Sequence, residues 1–169
     1  MNSTHHNPSS KFSPAGPSPR FDRNPGTDRS AKIDREPDTI KQTPAWHFHL
    51  CDWTHPDWGW NQLKPEGILL LIQEHLKSFE TMEWYTIESS SGGRRAGTNS
   101  HPLSVLGFTP AAQKRLKAII IGGIEELFSL RVNNKVRVYG IKEGRVLKLV
   151  WYDPHHGSRR GAYPTAGSR

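Results

Sequence analysis

The chain has 169 residues, the length of one domain, and carries a net charge of +7. Its single cysteine, Cys51, excludes an intramolecular disulfide framework. No N-terminal apolar run resembles a signal peptide or a membrane span, so we expect a cytoplasmic protein without a membrane partner.

Charge is distributed unevenly along the chain. Residues 109–169 hold 12 basic and 4 acidic groups, a net of +8, whereas residues 45–108 hold 4 and 7. Clustered lysines and arginines gain affinity by displacing counterions from phosphate backbones. The C-terminal third therefore predicts either a polyanionic partner or an ordinary solvated basic surface, and charge alone favours neither.

Residues 1–44 are predicted to be a disordered tail. They hold 7 of the 13 prolines and 6 serines, and they show no sustained period of apolar residues. The rest of the chain carries all six tryptophans and all four tyrosines, enough for one core. We therefore predict one domain at residues 45–164, followed by a disordered C-terminus at 165–169.

The first part of this domain predicts a strand, an irregular loop and a helix. Residues 46–51 alternate between apolar side chains and His or Cys, which is the period of a strand. The loop DWTHPDWGW follows, and its Trp58 and Trp60 are expected either in the core or stacked on nucleic-acid bases. Pro65 suits the first turn of a helix whose apolar spacing continues to about Glu80.

The second part predicts a helix followed by three strands. MEWYTIESS is interpreted as a short strand and SGGRRAGTNSHP as a Gly-rich basic loop. Thr109 and Pro110 form a good N-cap and first turn, and Gly122 and Gly123 should end that helix. The strands fit residues 127–132, 135–141 and 145–152. The sequence thus predicts an α+β fold, a small antiparallel sheet of three to five strands with two helices on one face.

Alternation along the three strands predicts one apolar face and one basic face. The predicted basic face holds Ser129, Arg131, Lys135, Arg137, Tyr139, Val146, Lys148, Val150 and Tyr152. A tight turn near residues 143–144 would place Tyr139 opposite Lys148 and Arg137 opposite Val150. Arg131 would lie opposite Lys135, an arrangement of two cations that favours a bound anion.

Two histidines, His155 and His156, follow the last strand beside the predicted basic face. Phosphodiester cleavage needs a base, cations and an acid, which His, Tyr, Lys and Arg can supply. The candidate catalytic residues are Arg137, Tyr139, Lys148, His155 and His156. The candidate RNA-binding residues are Arg131, Lys135, Tyr152, Arg94 and Arg95. The alternative is that both histidines are ordinary surface residues.

A rival metal site consists of His47, His49, Cys51 and His55 in HFHLCDWTH. Zinc accepts all of these donors. However, ligands at i, i+2 and i+4 on one strand spread over about 13 Å, too far to share one ion without a bulge. The preferred interpretation is an edge strand with its polar side chains outward.

The stretch LFSLRVNNKVRVYGIKEGRVLKLVWYDPHH, residues 127–156, resembles the end of bacterial toxins of the RelE/HigB/ParE superfamily. In these toxins a strand bearing LR leads into a hairpin with R-x-Y/W and a closing hydrophobic strand. HPDWGW together with RVYG and WYDPHH is similar to uncharacterised prophage and toxin–antitoxin-linked proteins. The resemblance covers about Trp46 to Tyr163.

The resemblance implies a RelE-like fold and an mRNA endoribonuclease that needs no metal or organic cofactor. Its partners would be RNA, free or on the ribosome, and a cognate antitoxin protein. The residues that match positions used by such enzymes are Arg131, Arg137, Tyr139, Lys148, Tyr152 and His155. The long tail and the insertion MEWYTIESSSGGRRAGTNSHP depart from the family pattern, and gyrase-poisoning relatives share the fold without nuclease chemistry. A non-catalytic nucleic-acid- or protein-binding module, such as a prophage regulatory or structural protein, is the alternative.

Overall fold

The computed structural model describes residues 38–89 and 100–164. The strands are β1 (Ala45–His47), β2 (His101–Ser104), β3 (Glu126–Arg131), β4 (Arg137–Glu143) and β5 (Val146–Asp153). The helices are α1 (Pro65–Leu70), α2 (Lys77–Phe79), α3 (Trp84–Ser89) and α4 (Pro110–Ile119). A π-helical stretch, Leu71–Leu76, joins α1 to α2, and we call these three segments the first helix.

The strands form one sheet in the order β1-β5-β4-β3-β2. The pairs β2–β3, β3–β4 and β4–β5 are antiparallel, whereas β1 runs parallel to β5. The coarse α+β prediction is therefore confirmed, but the sheet is mixed rather than purely antiparallel. β1 is separated from β5 by about a hundred residues, so no tight turn dictates its direction.

The sheet is covered on both faces, which corrects the prediction of helices on one face only. The first helix and α3 cover one face, the first-helix face, over the side chains of Phe128, Leu130, Val138, Leu147 and Leu149. α4 and the chain after β5 cover the other face, the α4 face, over Leu127, Tyr139, Val150 and Trp151. The run LVW at 149–151 is apolar without alternation, which is typical of strands buried on both sides.

A β-bulge at Val150 determines which side chains of β5 reach each face. Tyr139 pairs with Trp151 and Gly140 pairs with Leu149, so Val150 has no partner in β4. One extra residue reverses the alternation beyond it. Trp151 therefore shares the α4 face with Tyr139, instead of lying beside Leu149 as a regular strand would place it.

The position of the turn and the bulge together overturn the predicted register of β4 and β5. Alternation predicts Val150 opposite Arg137, but the structure places Asp153 there. Lys148 lies opposite Ile141 rather than opposite the tyrosine of β4. Glu143 pairs with Val146, so the two-residue turn is at residues 144–145 rather than 143–144, which shifts every pair by two residues. The bulge adds one more residue to the shift beyond Leu149.

Several element predictions are confirmed and others are wrong. Thr109 caps α4 by accepting a hydrogen bond from the Ala112 backbone at 3.2 Å, as predicted. The segment MEWYTIESS contains α3 rather than a strand, because Trp84 and Ile87, three residues apart, are both buried. β2 lies at the end of the segment predicted to be a loop. Trp58 and Trp60 are buried.

The described chain starts inside the segment predicted to be a tail. Residues 38–44 include a 3-10 turn, Thr39–Lys41, and Ile40 packs against the core. The Gln42 carbonyl accepts a hydrogen bond from the Trp84 backbone at 3.0 Å. The rest of the predicted tail and the predicted C-terminal segment lie outside the described residues. Over residues 38–89 and 100–164, no helix is long and apolar enough to cross a membrane.

Candidate phosphate-binding and proton-transfer site

The site lies where β4 begins and β5 ends, under the chain that follows β5. Asp153 is completely buried there, and its two carboxylate oxygens accept backbone hydrogen bonds from His155 and Ala162, each at 2.8 Å. Gly161 has no room for a side chain, because a Cβ would lie 2.6 Å from the His155 carbonyl oxygen. Asp153 therefore pins both ends of the segment 154–162, which we call the closing loop.

Arg137 is the cation opposite Asp153. It is 7% exposed and donates hydrogen bonds to the backbone carbonyls of Asn133 at 2.7 Å and Val136 at 3.0 Å. Burial raises the pKa of Asp153 to about 6, although the two backbone donors and Arg137 oppose this rise. Burial also lowers the pKa of Arg137. Arg137 thus stabilises the turn between β3 and β4 through these hydrogen bonds, and its buried guanidinium supplies positive charge to the site.

A buried tyrosine holds one imidazole of the closing loop. The Tyr139 hydroxyl lies 2.9 Å from Nδ1 of His156, and the His156 backbone N–H donates to the Lys135 carbonyl at 3.2 Å. Tyr139 is completely buried, and burial raises its pKa well above the ordinary value. Its phenol therefore stays protonated at neutral pH. His156 is only partly buried, so its ring is fixed from below and reaches the surface.

The charge state of His156 follows from its surroundings. Burial, and then the charges of Arg137, His101 and Arg131, lower its pKa to about 4. The imidazole is therefore neutral at pH 7, with one ring nitrogen engaged by Tyr139. In the tautomer in which Nδ1 donates to the phenolic oxygen, Nε2 is left as a proton acceptor.

A shallow concavity of about 570 Å³ lies at the turn between β3 and β4, beside the closing loop. Its lining includes Arg131, Asn133, Asn134, Lys135 and Pro154. Asn133 shapes the turn, since its side-chain oxygen accepts backbone hydrogen bonds from Lys135 and Val136, both at 2.9 Å. Arg131 donates to the Asn134 side chain at 2.6 Å. Lys135 is exposed, so the concavity offers cationic side chains to a ligand.

The structure brings together six of the residues proposed from the sequence. They are Arg131, Lys135, Arg137, Tyr139, His155 and His156. Arg131 lies opposite Arg137, not opposite Lys135 as the sequence predicts, because β4 begins only at residue 137. The predicted open basic face is replaced by a basic end of the sheet, at which Tyr139 and Arg137 are buried and position other groups.

Two of the proposed residues lie elsewhere. Lys148 is five residues before the end of β5, about 16 Å away along the strand, and forms an ion pair of 2.6 Å with Glu143. Tyr152 packs on the first-helix face against Trp60, with ring centroids 6.1 Å apart, because the bulge turns it away from the α4 face. Arg94 and Arg95 lie outside the described residues.

The rival metal site is not assembled. Among the described residues no group of three or more His, Cys, Asp or Glu side chains is placed to hold a metal ion. Cys51 packs against the core, where burial raises the pKa of its thiol to about 12. His55 stacks on Trp58 at a centroid distance of 3.5 Å, while His47 and His49 are exposed.

A second buried carboxylate, Asp52, was not singled out from the sequence. Arg115 of α4 donates to both of its oxygens, at 2.8 and 2.7 Å, and the Trp151 indole donates at 3.2 Å. Burial alone would raise the pKa of Asp52, but these bonds and those from Thr54 outweigh burial and lower it. The network ties the loop after β1 to α4 and the end of β5.

Asp153 was also missed, although the sequence carries a signal for it. An aspartate that ends an apolar strand and precedes Pro154 is well suited to accept backbone hydrogen bonds from the following turn.

Comparison of the chain with protein-family models, with curated proteins and with solved structures gives no match.

Proposed function

We propose that this chain is a toxin-like endoribonuclease that binds single-stranded RNA at the basic end of its sheet. The observation that carries the proposal is the neutral His156, held by the buried Tyr139 next to the cationic concavity. Arg131 and Lys135 would bind the phosphate beside the scissile bond. The proposal uses protein side chains for the proton transfers.

The proposed reaction needs a base at the attacking oxygen and an acid at the leaving oxygen. Nε2 of His156 would take the proton of a ribose 2′-hydroxyl as its oxygen attacks phosphorus. The bond from phosphorus to the 5′-oxygen breaks, leaving a cyclic phosphate, and His155 would protonate the departing oxygen. Burial and, to a smaller extent, nearby cations lower the pKa of His156, and a bound phosphate would offset the part that the cations contribute.

The resemblance to RelE-type toxins belongs to this proposal. Its support is the antiparallel unit β3–β4–β5, with the arginines of β3 and β4 beside the histidines after β5. Cover on both faces of the sheet is a departure that the resemblance does not lead us to expect. A cognate antitoxin would be the protein partner of such a toxin.

One observation favours a non-catalytic alternative, in which the same site binds RNA without cleaving it. A pKa of about 4 makes His156 a weak base in the free protein. This alternative and the nuclease share the phosphate contacts and differ only in proton transfer. Variants must therefore be examined for binding and for cleavage separately.

Binding is tested with a single-stranded RNA oligonucleotide over a range of salt concentrations. Lys135→Ala should weaken binding and reduce the slope of log affinity against log salt by about 0.7, the value for one phosphate contact on a single strand. Lys148→Ala is the matched control, because that lysine is paired with Glu143. An equal reduction for both variants would place the RNA elsewhere.

Cleavage is tested by single-turnover kinetics and by expression in cells. His156→Ala should slow cleavage about 100-fold or more while leaving RNA affinity nearly unchanged. Expression of the wild-type chain should arrest growth and deplete mRNA, and the His156→Ala variant should do neither. Normal growth with intact transcripts, in cells that contain folded wild-type protein, would contradict the toxin hypothesis. Binding without cleavage in vitro would favour the non-catalytic module.

A further inference from the structure

Two aromatic rings stand exposed on the loop after β1. Phe48 is 43% exposed and Trp53 is 52% exposed. Both rings rest against the buried Trp60, with centroid distances of 5.9 and 6.1 Å. We call Phe48 and Trp53 the aromatic platform. The two tryptophans that the sequence suggested for base stacking, Trp58 and Trp60, are buried beneath the surface and cannot offer a free face.

The aromatic platform is held in place by hydrogen bonds on both sides. Immediately before Trp53, the Asp52 backbone donates to the Val150 carbonyl at 2.9 Å. Immediately after it, the Thr54 backbone donates to the Asp52 carboxylate at 3.1 Å. The Trp60 indole donates to the same Val150 carbonyl at 3.0 Å. The exposed rings are therefore presented by an anchored loop, and a ligand need not order them on binding.

The aromatic platform is connected through Trp60 to Tyr152, the residue before the buried Asp153 of the candidate site. Trp60, which supports both exposed rings, also contacts Tyr152 at a centroid distance of 6.1 Å. Tyr152 precedes Asp153, the buried carboxylate that pins the closing loop. The platform thus leads to Tyr152 near the end of β5, and the cationic concavity is lined by Pro154, which follows the end of the same strand. An RNA strand that crosses the end of β5 would place its phosphates against the cations and its bases against the aromatic rings.

We infer that Phe48 and Trp53 form a stacking subsite for an unpaired base of single-stranded RNA. The inference rests on the proposed function, because it is the cationic concavity at the end of β5 that selects a phosphate-bearing ligand. Two partly exposed rings offer far less area than the roughly 800 Å² per partner of a stable protein interface. A single base needs only such a ring, and stacking on it tolerates any base.

The test compares two labelled heptamers of 2′-O-methyl RNA, which have no 2′-hydroxyl to attack the phosphate. One heptamer carries uracil throughout, and the other lacks all seven of its bases. Fluorescence anisotropy gives the affinity of the full chain for each. Trp53→Ala should lower affinity for the uracil heptamer about 5- to 100-fold, the usual effect of losing one stacked base. It should barely change affinity for the abasic heptamer.

Phe48→Ala should follow the same pattern. Tyr85→Ala is the matched control, since Tyr85 is an aromatic residue of α3 that is 60% exposed, and it should change neither affinity. Equal losses on both heptamers, or no loss on either, would overturn the stacking subsite. So would a dimer of the wild-type chain that Trp53→Ala dissociates, because the platform would then be a contact between copies.

The two levels of the proposal fail in different ways. If the wild-type chain binds neither heptamer, the RNA-binding function itself is wrong and the subsite falls with it. If it binds both heptamers equally tightly and Lys135→Ala weakens both, the phosphate contacts stand and only the stacking subsite is wrong. Unfolding curves for each variant confirm that the changes in affinity do not arise from loss of the fold.

Discussion

Burial shifts the pKa values of Asp153 and His156 in opposite directions within one site. Burial disfavours the charged form of each group, so it raises the pKa of the acid and lowers the pKa of the imidazole. Asp153 tolerates its position because two backbone N–H groups and Arg137 face it. His156 is accommodated in its partly buried position because the Tyr139 hydroxyl binds one of its ring nitrogens. Both residues hold the closing loop over the end of the sheet.

These two shifts predict opposite pH dependences of stability. The pKa of Asp153 rises from 3.8 to about 6, so its contribution is fully present below pH 3.8 and is lost as pH rises through 6. The pKa of His156 falls from 6.5 to about 4, so its contribution is present above pH 6.5 and is lost as pH falls through 4. Each effect is on the order of 3 kcal/mol, and in the wild type they oppose each other.

Single variants should separate the two effects between pH 6.5 and pH 4. Relative to wild type, Asp153→Asn should lose stability as pH falls, and His156→Gln should gain it. Urea denaturation at closely spaced pH values measures both slopes, and His49→Gln serves as a control that changes an exposed histidine. Parallel pH profiles for wild type, Asp153→Asn and His156→Gln would show that neither group titrates as described.

At the scale of elements, the bulge of β5 links the sheet to the loop after β1. The Val150 carbonyl accepts from both the Asp52 backbone and the Trp60 indole, so two segments converge on one acceptor. This convergence fixes the bulge, and the bulge in turn directs Trp151 to the α4 face. The placement of Trp151 beside Tyr139 on that face therefore depends on contacts from the loop after β1.

Trp60→Phe should destabilise the fold by about 2 kcal/mol or more. It removes the indole donor to the Val150 carbonyl and leaves unfilled space at a side chain that is 2% exposed. Trp53→Phe is the matched control, and it should change the free energy of unfolding by about 0.5 kcal/mol or less because its ring is half exposed. Urea denaturation measures both. Equal, small effects would mean that the bulge does not need this anchor.

The same element shows what the sequence could and could not predict. The start of α4 was predictable because Thr109 and Pro110 act on the backbone within one turn. The bulge was not predictable, since the Val150 carbonyl accepts a hydrogen bond from the indole of Trp60, which lies 90 residues away in the sequence. The chemical identity of the site residues could be proposed from WYDPHH and RVYG. The burial of these residues could not be predicted, because α4 and the closing loop cover a sheet face that the alternation of side chains predicts to be exposed.

At the scale of the whole molecule, cover on both faces changes where positive charge can act. A charged side chain is costly on a sheet face packed against a helix unless it is paired or hydrogen-bonded, as Arg137 is by two carbonyls. The cations that line the concavity therefore lie at a turn. Arg131 and Lys135 lie at the turn between β3 and β4, and Arg160 of the closing loop pairs with Asp57 at 2.7 Å. The basic C-terminal third thus presents these cations at an end of the sheet and not on one of its faces.

The limits of the folded unit yield the last prediction. Composition alone places the domain boundary at Ala45, yet Ile40 packs against the core and the Gln42 carbonyl bonds to the Trp84 backbone. A chain that begins at residue 45 should therefore be less stable than one that begins at residue 38, by about 2–4 kcal/mol for the lost burial and hydrogen bond. Urea denaturation of both truncated chains measures the difference. Equal midpoints would restore the boundary at Ala45, whereas a lower midpoint for the shorter chain would make residues 38–44 part of the domain.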